Sequence, residues 1–197
     1  MDPAVLAVVF GAIFVVELPD KTFIATLVLA TRFKPIYVWI GVGLAFTVQT
    51  LVAVAVGHAA TLLPQEAIHV LALGMFLLGA VLLFREGRSH HIASGEEYVE
   101  KAGNAKGPWR SILASFLVLF AAEWGDLSQL LTITFVARYD DPVSVFVGAL
   151  GALLVVSALA CLLGRTLLRY VPLHLLHYVG AGVCLLMAGL TAYDLWA

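Results

Sequence analysis

Long apolar runs separated by short polar breaks dominate the chain. A membrane-spanning helix needs about 20 mostly apolar residues. Six stretches qualify, running from about Pro3 to Ala30, Ile36 to Leu62, Ala67 to Phe84, Trp109 to Ala137, Pro142 to Leu168 and Leu173 to Trp196. Pro35, Pro64, Pro108, Pro142 and Pro172 lie between them, where proline can end or open a helix. The pattern predicts a first three-helix unit at 1–84, a polar linker at 85–108 and a second three-helix unit at 109–197. The first run has no positive charge ahead of it, begins beside Asp2 and contains Glu17 and Asp20, so it is expected to be a retained helix rather than a cleaved signal.

Composition agrees with this reading. Hydrophobic residues make up 62% of the chain and charged residues 12%, against about 45–50% and about 25% in soluble domains. A soluble cytosolic enzyme is excluded, and no Ser/His, Cys/His or metal-hydrolase pattern suggests a membrane-bound one. The net charge of −2 offers no basic excess for nucleic acid. Cys161 and Cys184 lie in apolar runs and form neither a disulfide framework nor a zinc motif.

Basic residues set the expected orientation. Arg32, Lys34, Arg85, Arg88, Lys101, Lys106, Arg110, Arg165 and Arg169 would share one side of the membrane, leaving Arg138 on the other. This bias predicts a cytoplasmic central loop and outward-facing termini.

The halves repeat one another. Glu17-Leu18-Pro19-Asp20-Lys21-Thr22 aligns with Glu123-Trp124-Gly125-Asp126-Leu127-Ser128, 106 residues later. Gly41 and Gly43 match Gly148 and Gly151 loosely, Gln49 falls opposite Ser157, and His69 and Gly74 match His177 and Gly182. Each half has three expected spans, an odd number, so the second would insert upside down. The expected fold is an all-α integral membrane protein of six transmembrane helices in two inverted three-helix repeats. In many secondary transporters this plan puts the substrate at the repeat interface near midplane.

The carboxylates define the expected chemistry. Glu17 and Glu123 fall near the middle of the first and fourth spans, and Asp20 and Asp126 follow at i+3, on the same helical face. An ionised carboxylate at the bilayer centre costs at least ~2.5–3.5 kcal/mol. Protons can offset that cost by neutralising the acids, and a divalent cation can by coordinating them. A site served by both in turn is a cation/proton exchanger. Thr22, Gln49, Ser128, Gln129 and Ser157 are expected to supply oxygen ligands or gating. Lys21, at i+4 from Glu17, would modulate the charge of the site by competing with the cation for Glu17. An all-oxygen ligand set suits Mg²⁺, Ca²⁺ or Mn²⁺ rather than Zn²⁺ or Cu⁺. No prosthetic group is expected. A channel with the same acids as a selectivity site is the alternative.

The duplicated acidic motif, one copy in each three-helix half around a polar loop, resembles the GDT family of cation/proton exchangers. Its hallmark is Glu-x-Gly-Asp, then Lys or Arg, then Thr or Ser, once per half. Here Pro19 replaces the glycine of the first copy and Leu127 the basic residue of the second. The resemblance covers essentially the whole chain. It implies exchange of Mn²⁺, or next Ca²⁺, for H⁺ at Glu17, Asp20, Glu123 and Asp126, with export across a bacterial cytoplasmic membrane as the expected direction.

Other features read more simply. Pro19, which frees the carbonyl near Val15, and Gly125, which weakens the matching turn, are expected either to kink their helices or to break them at midplane, where freed carbonyl oxygens can face an ion. His69 and His177 are expected to pack or face an interface, and His90, His91, Glu96, Glu97 and Glu100 to belong to a solvated linker. Trp39, Trp109 and Trp196 read as interfacial anchors, while Trp124 sits inside the second motif.

Overall fold

The computed structural model describes residues 1–18, 20–62, 64–88, 107–170 and 173–196, apart from the side chains at 86–87, 163–170, 173–176 and 194–196. Every regular element among them is an α-helix. In chain order these are α1 (Pro3–Glu17), α2 (Lys21–Arg32), α3 (Pro35–Ala60), α4 (Gln65–Arg88), α5 (Pro108–Ala122), α6 (Leu127–Tyr139), α7 (Pro142–Tyr170) and α8 (Leu173–Trp196).

Proline opens α1, α3, α5 and α7, where its missing N–H costs no helical hydrogen bond. Asp2 caps α1 by accepting the Ala4 N–H at 2.8 Å. At the start of α7 the Asp141 carboxylate accepts the Ser144 N–H at 3.0 Å and its hydroxyl at 2.6 Å. The Asp2 N–H also reaches Asp141, at 3.0 Å, tying the starts of α1 and α7 together.

Two expected spans are broken. The first is α1 followed by α2, bent by 69°, and the fourth is α5 followed by α6, bent by 71°. Alone, a 15-residue helix such as α1 or α5 reaches only about 22 Å, short of an apolar layer of about 30 Å. Among the described residues, α3, α4 and α7 contain segments long and apolar enough to cross a membrane, and counting each bent pair as one span makes five. In α8 the apolar stretch with described side chains is shorter, His177–Tyr193.

Packing runs between the halves. α1 lies against α7, α5 against α3, α3 against α7, and α4 against α8. Small residues permit the closest crossings. A Cβ at Gly41 would come within 2.3 Å of the Ile112 carbonyl oxygen, and one at Gly148 within 2.8 Å of that of Leu6. Phe10 stacks on Phe14 and Phe116 on Phe120, both at 12° between ring planes. The main core is apolar, and Phe76 meets Phe135 at its centre with 5.5 Å between centroids. Large apolar side chains such as Leu71, Leu113, Leu117 and Leu185 face outward, as lipid contact requires.

Trp39 also ties two helices together. Its indole N–H donates to the Leu154 carbonyl at 3.0 Å, linking α3 to α7. Residues 89–106, with the polar linker's His90, His91, Glu96, Glu97 and Glu100, lie outside the described residues, as does Pro19.

Candidate metal centre

Both helix breaks fall in the acidic motifs. Glu17 ends α1 and Glu123 caps the end of α5, while Asp20 and Asp126 occupy the N-cap positions of α2 and α6. The two aspartates share one extended backbone conformation, φ −77 and ψ 164 against φ −73 and ψ 166. An N-cap aspartate ordinarily turns its carboxylate back onto the first helical turn. Neither does so here.

This geometry corrects the expectation that each Glu–Asp pair shares one helical face. The Asp20 N–H donates to the Glu17 carbonyl at 3.1 Å and the Asp126 N–H to the Glu123 carbonyl at 3.2 Å, and in the second motif Trp124 and Gly125 form a turn. Gly125 adopts φ +78, a left-handed conformation open to glycine at little cost. Its N–H donates to Gln129 Oε1 at 2.8 Å, so the carbonyl oxygen of Gln129 secures the break.

Carboxylate oxygens of Glu17, Glu123 and Asp126 lie within 4.8 Å of one another. A cation bonding oxygens at 2.3–2.6 Å can bridge groups up to about 5 Å apart. Glu17 and Glu123 are only 1% and 3% exposed, and in each Oε1 is buried without a hydrogen-bond partner. Unpartnered buried oxygens of this kind are costly unless an ion or proton meets them. Asp20 is outside the group of three, yet close enough to act electrostatically on Glu17, Lys21 and Glu123. No histidine joins the group among the described residues.

The remaining expected residues divide. The Thr22 hydroxyl donates to Glu17 Oε2 at 2.9 Å and more distantly to Asp20, at 3.4 Å. Gln49, Ser128 and Gln129 line a small cleft that reaches Glu123, together with Thr50 and Thr132. Gln49 is held there by its amide group, which donates to the Phe120 carbonyl near the end of α5 at 2.9 Å. Ser157 is buried, but its hydroxyl donates to the Leu154 carbonyl of its own helix and does not line the cleft.

Lys21 requires a correction. Its ammonium lies 2.6 Å from Asp126 Oδ1, across the repeat, and not on Glu17. The i+4 pairing needed a continuous helix from 17 to 21, and the break removes it. Thr50 went unrecognised because the sequence alignment set Gln49 opposite Ser157. The matched crossings of Gly41 and Gly148 place the repeat in α3 and α7 at 107 residues, which puts Thr50 opposite Ser157.

A family model described as "Divalent cation/proton antiporter GDT1" matches residues 5–91 and 111–197. The chain belongs to the GDT1 family. The two matched stretches are displaced by 106 residues at both ends, the same displacement that relates Glu17 to Glu123. Among curated relatives, this GDT1-family chain is similar to the "Putative manganese exporter" of Vibrio cholerae, 31% identical over 96% of this chain and 91% of the relative. It is 31% identical to the GDT1-like protein sll0615 of Synechocystis over 64% of this chain and 66% of the relative. It is 29% identical to the PAM71-homolog of Arabidopsis thaliana chloroplasts over 95% of this chain. The chain spans about three fifths of the length of that protein and of the rice chloroplast GDT1-like protein 2 (58% and 60%). No solved structure matches.

Proposed function

We propose that this chain exchanges a divalent cation for H⁺, with Mn²⁺ preferred and Ca²⁺ next, at a site formed by Glu17, Asp20, Glu123 and Asp126. The observation that carries the proposal is the meeting of Glu17, Glu123 and Asp126 oxygens from both halves within 4.8 Å, with two of those carboxylates nearly inaccessible to solvent. Three acids so close repel one another strongly when all are ionised. Protons relieve that repulsion when the cation is absent, and the cation relieves it when bound, so the two compete for the same oxygens. Thr22, Gln49, Ser128 and Gln129 help to orient the acids or replace water around the ion, while Ser157 supports the helix behind them. Similarity to the Vibrio cholerae protein named as a putative manganese exporter supports placing Mn²⁺ first.

In this reading each bent pair is one broken span. The bends of 69° and 71° are read here as breaks within a span rather than as re-entrant loops. Six spans then form two inverted three-helix repeats with the acidic turns near midplane, where irregular backbone is tolerated because it lines a site. The basic residues favour a cytoplasmic central loop and external termini. In a bacterial cytoplasmic membrane, inward flow of H⁺ would drive cation export.

Proteoliposomes test this directly. Wild type is expected to accumulate Mn²⁺, and Ca²⁺ less well, against a gradient when a pH difference is imposed, while Glu17→Gln and Glu123→Gln lose this activity. Downhill flux independent of H⁺ in wild type would instead indicate a channel, and retained exchange in both variants would overturn the site.

A further inference from the structure

The two acidic turns are related by the repeat, yet their surroundings differ chemically. Matching the crossings of Gly41 on Ile112 and Gly148 on Leu6 relates α3 to α7 by 107 residues and α1 to α5 by 106. In α3 and α7, Gln49 therefore corresponds to Val156. In α2 and α6, where the motif displacement of 106 holds, Gln129 corresponds to Phe23 and Thr132 to Thr26.

On the Glu123 side these positions are polar. Gln49, Thr50, Ser128, Gln129 and Thr132 line the cleft that reaches the carboxylate, together with the apolar Phe46 and Leu153. Thr50, Ser128 and Thr132 have polar counterparts in Ser157, Thr22 and Thr26, so the difference rests on Gln49 and Gln129. On the Glu17 side, Phe23 and Val156 are 1% and 4% exposed and join Ala160 in an apolar cluster separate from the main core. Phe14 on α1 and Leu18 just past its end, on either side of Glu17 in sequence, pack against that cluster. The hydroxyl of Thr26 is buried there without a hydrogen-bond partner, whereas that of Thr132 donates to the Ser128 carbonyl at 2.7 Å.

These surroundings have opposite effects on an ion. Amide and hydroxyl oxygens can take the place of water one ligand at a time as a cation approaches. An apolar constriction supplies no ligand and excludes water, and such constrictions gate by dewetting. Exchanging the conformations of the two halves would therefore not produce two equivalent approaches.

We infer that Phe23 and Val156 form a dry gate beside Glu17, closed in this structure, while Gln49 and Gln129 line a wetted approach to Glu123. The inference rests on the exchange function proposed above and adds a sidedness to it. The cation sheds water gradually on the polar side. It passes the other side only when the contact between α2 and α7 at Phe23 and Val156 parts.

Cysteine accessibility and coupling together test the gate. In a Cys161→Ala, Cys184→Ala background first shown to exchange Mn²⁺, Thr50→Cys or Val156→Cys is introduced. Each variant is treated with a membrane-impermeant cationic methanethiosulfonate in the absence of divalent cations. Thr50→Cys is expected to react at least about tenfold faster than Val156→Cys, because access limits thiol exchange. In parallel, Phe23→Ala is expected to pass Mn²⁺ downhill without a pH gradient, and Phe23→Leu, which keeps the seal apolar, to remain coupled. Equal labelling rates, or coupling in Phe23→Ala as tight as in wild type, would overturn the gate while leaving cation exchange intact. Loss of the underlying function would appear separately, as absence of exchange in the parent protein.

Discussion

Lys21 Nζ sits 2.6 Å from Asp126 Oδ1, so the single lysine of the two acidic motifs partners the carboxylate of the opposite motif. The second motif carries Leu127 where the first carries Lys21, and no second cation balances the arrangement from that position. Lys21 is 37% exposed at its side chain and Asp126 13%, which places the pair at the edge of the buried carboxylates. The ammonium thus occupies an oxygen that a cation at the proposed site would use.

Removing that ammonium should therefore favour the cation. Lys21→Met is expected to lower the KM for Mn²⁺ by about tenfold, equivalent to ~1.4 kcal/mol, and to slow turnover because release becomes harder. Lys21→Arg should stay near wild type, since it keeps the charge. Transport kinetics over a range of pH provide the check, and an unchanged KM and pH profile in Lys21→Met would remove Lys21 from the binding competition.

Close helix crossings predict a graded effect of single methyl groups. At Gly41 an added Cβ meets the Ile112 backbone oxygen at 2.3 Å and at Gly148 that of Leu6 at 2.8 Å, while at Gly11 nothing lies within 4 Å. Overpacking against backbone costs roughly 1–3 kcal/mol. Thermal unfolding in detergent should rank Gly41→Ala as the least stable, then Gly148→Ala, with Gly11→Ala close to wild type. A destabilised Gly11→Ala beside an unaffected Gly41→Ala would contradict these crossings.

Gly125 is a different case, because no neighbour stands within 4 Å of its missing Cβ. Its φ of +78 is the obstacle, and a left-handed backbone costs an L-residue about 1–2 kcal/mol. Gly125→Ala should lower stability by about that amount, and exchange should fall further than stability because the turn positions Glu123 and Asp126. The ratio of transport loss to the shift in melting temperature measures this. Gly125→Asn, which tolerates the left-handed region better, should recover part of both.

Asp141 gives a pH prediction outside the membrane. The Ser144 hydroxyl and N–H, and the Asp2 N–H, hold its carboxyl down to about 2. A depressed carboxyl stabilises the fold above its unfolded value of about 3.9 and loses that contribution as pH falls towards the folded value. Helix melting followed by circular dichroism should lose stability between about pH 4 and pH 2, and Asp141→Asn should flatten that part of the profile. An identical slope in the variant would assign the loss to other acids.

Much of the candidate site was legible in the sequence because carboxylates are conspicuous inside apolar runs. Glu17 with Asp20 and Glu123 with Asp126 stood out at a fixed displacement, and the repeat implied a meeting that Glu17, Glu123 and Asp126 make and Asp20 does not. The helix breaks were partly legible, because Pro19 and Gly125 pointed to a kink or a break, but the new helix starts at Asp20 and Asp126 were not. Apolar periodicity continues through both acidic turns, and Asp20 and Asp126 looked like helix-interior residues at i+3 when they are N-caps. Once the helix is broken, the expected Glu17–Lys21 pairing fails, and nothing local in sequence points Lys21 at Asp126. Phe23 and Val156 are ordinary apolar residues in apolar helices, so their distinction from Gln129 and Gln49 emerges only when the helices are superimposed through their glycine crossings. Thr50 was hidden because Gln49 was paired with Ser157 at 108 residues, one more than the 107 that relates the crossing helices.

The position of a bound ion tests the account most directly. Anomalous X-ray scattering from crystals of the full chain soaked with Mn²⁺ should show a peak within coordination distance of Glu17, Glu123 and Asp126, with Asp20 nearby. The peak should vanish in Glu123→Gln while the helices keep their arrangement. A Mn²⁺ peak elsewhere in the chain, or one that persists unchanged in Glu123→Gln, would contradict the central claim.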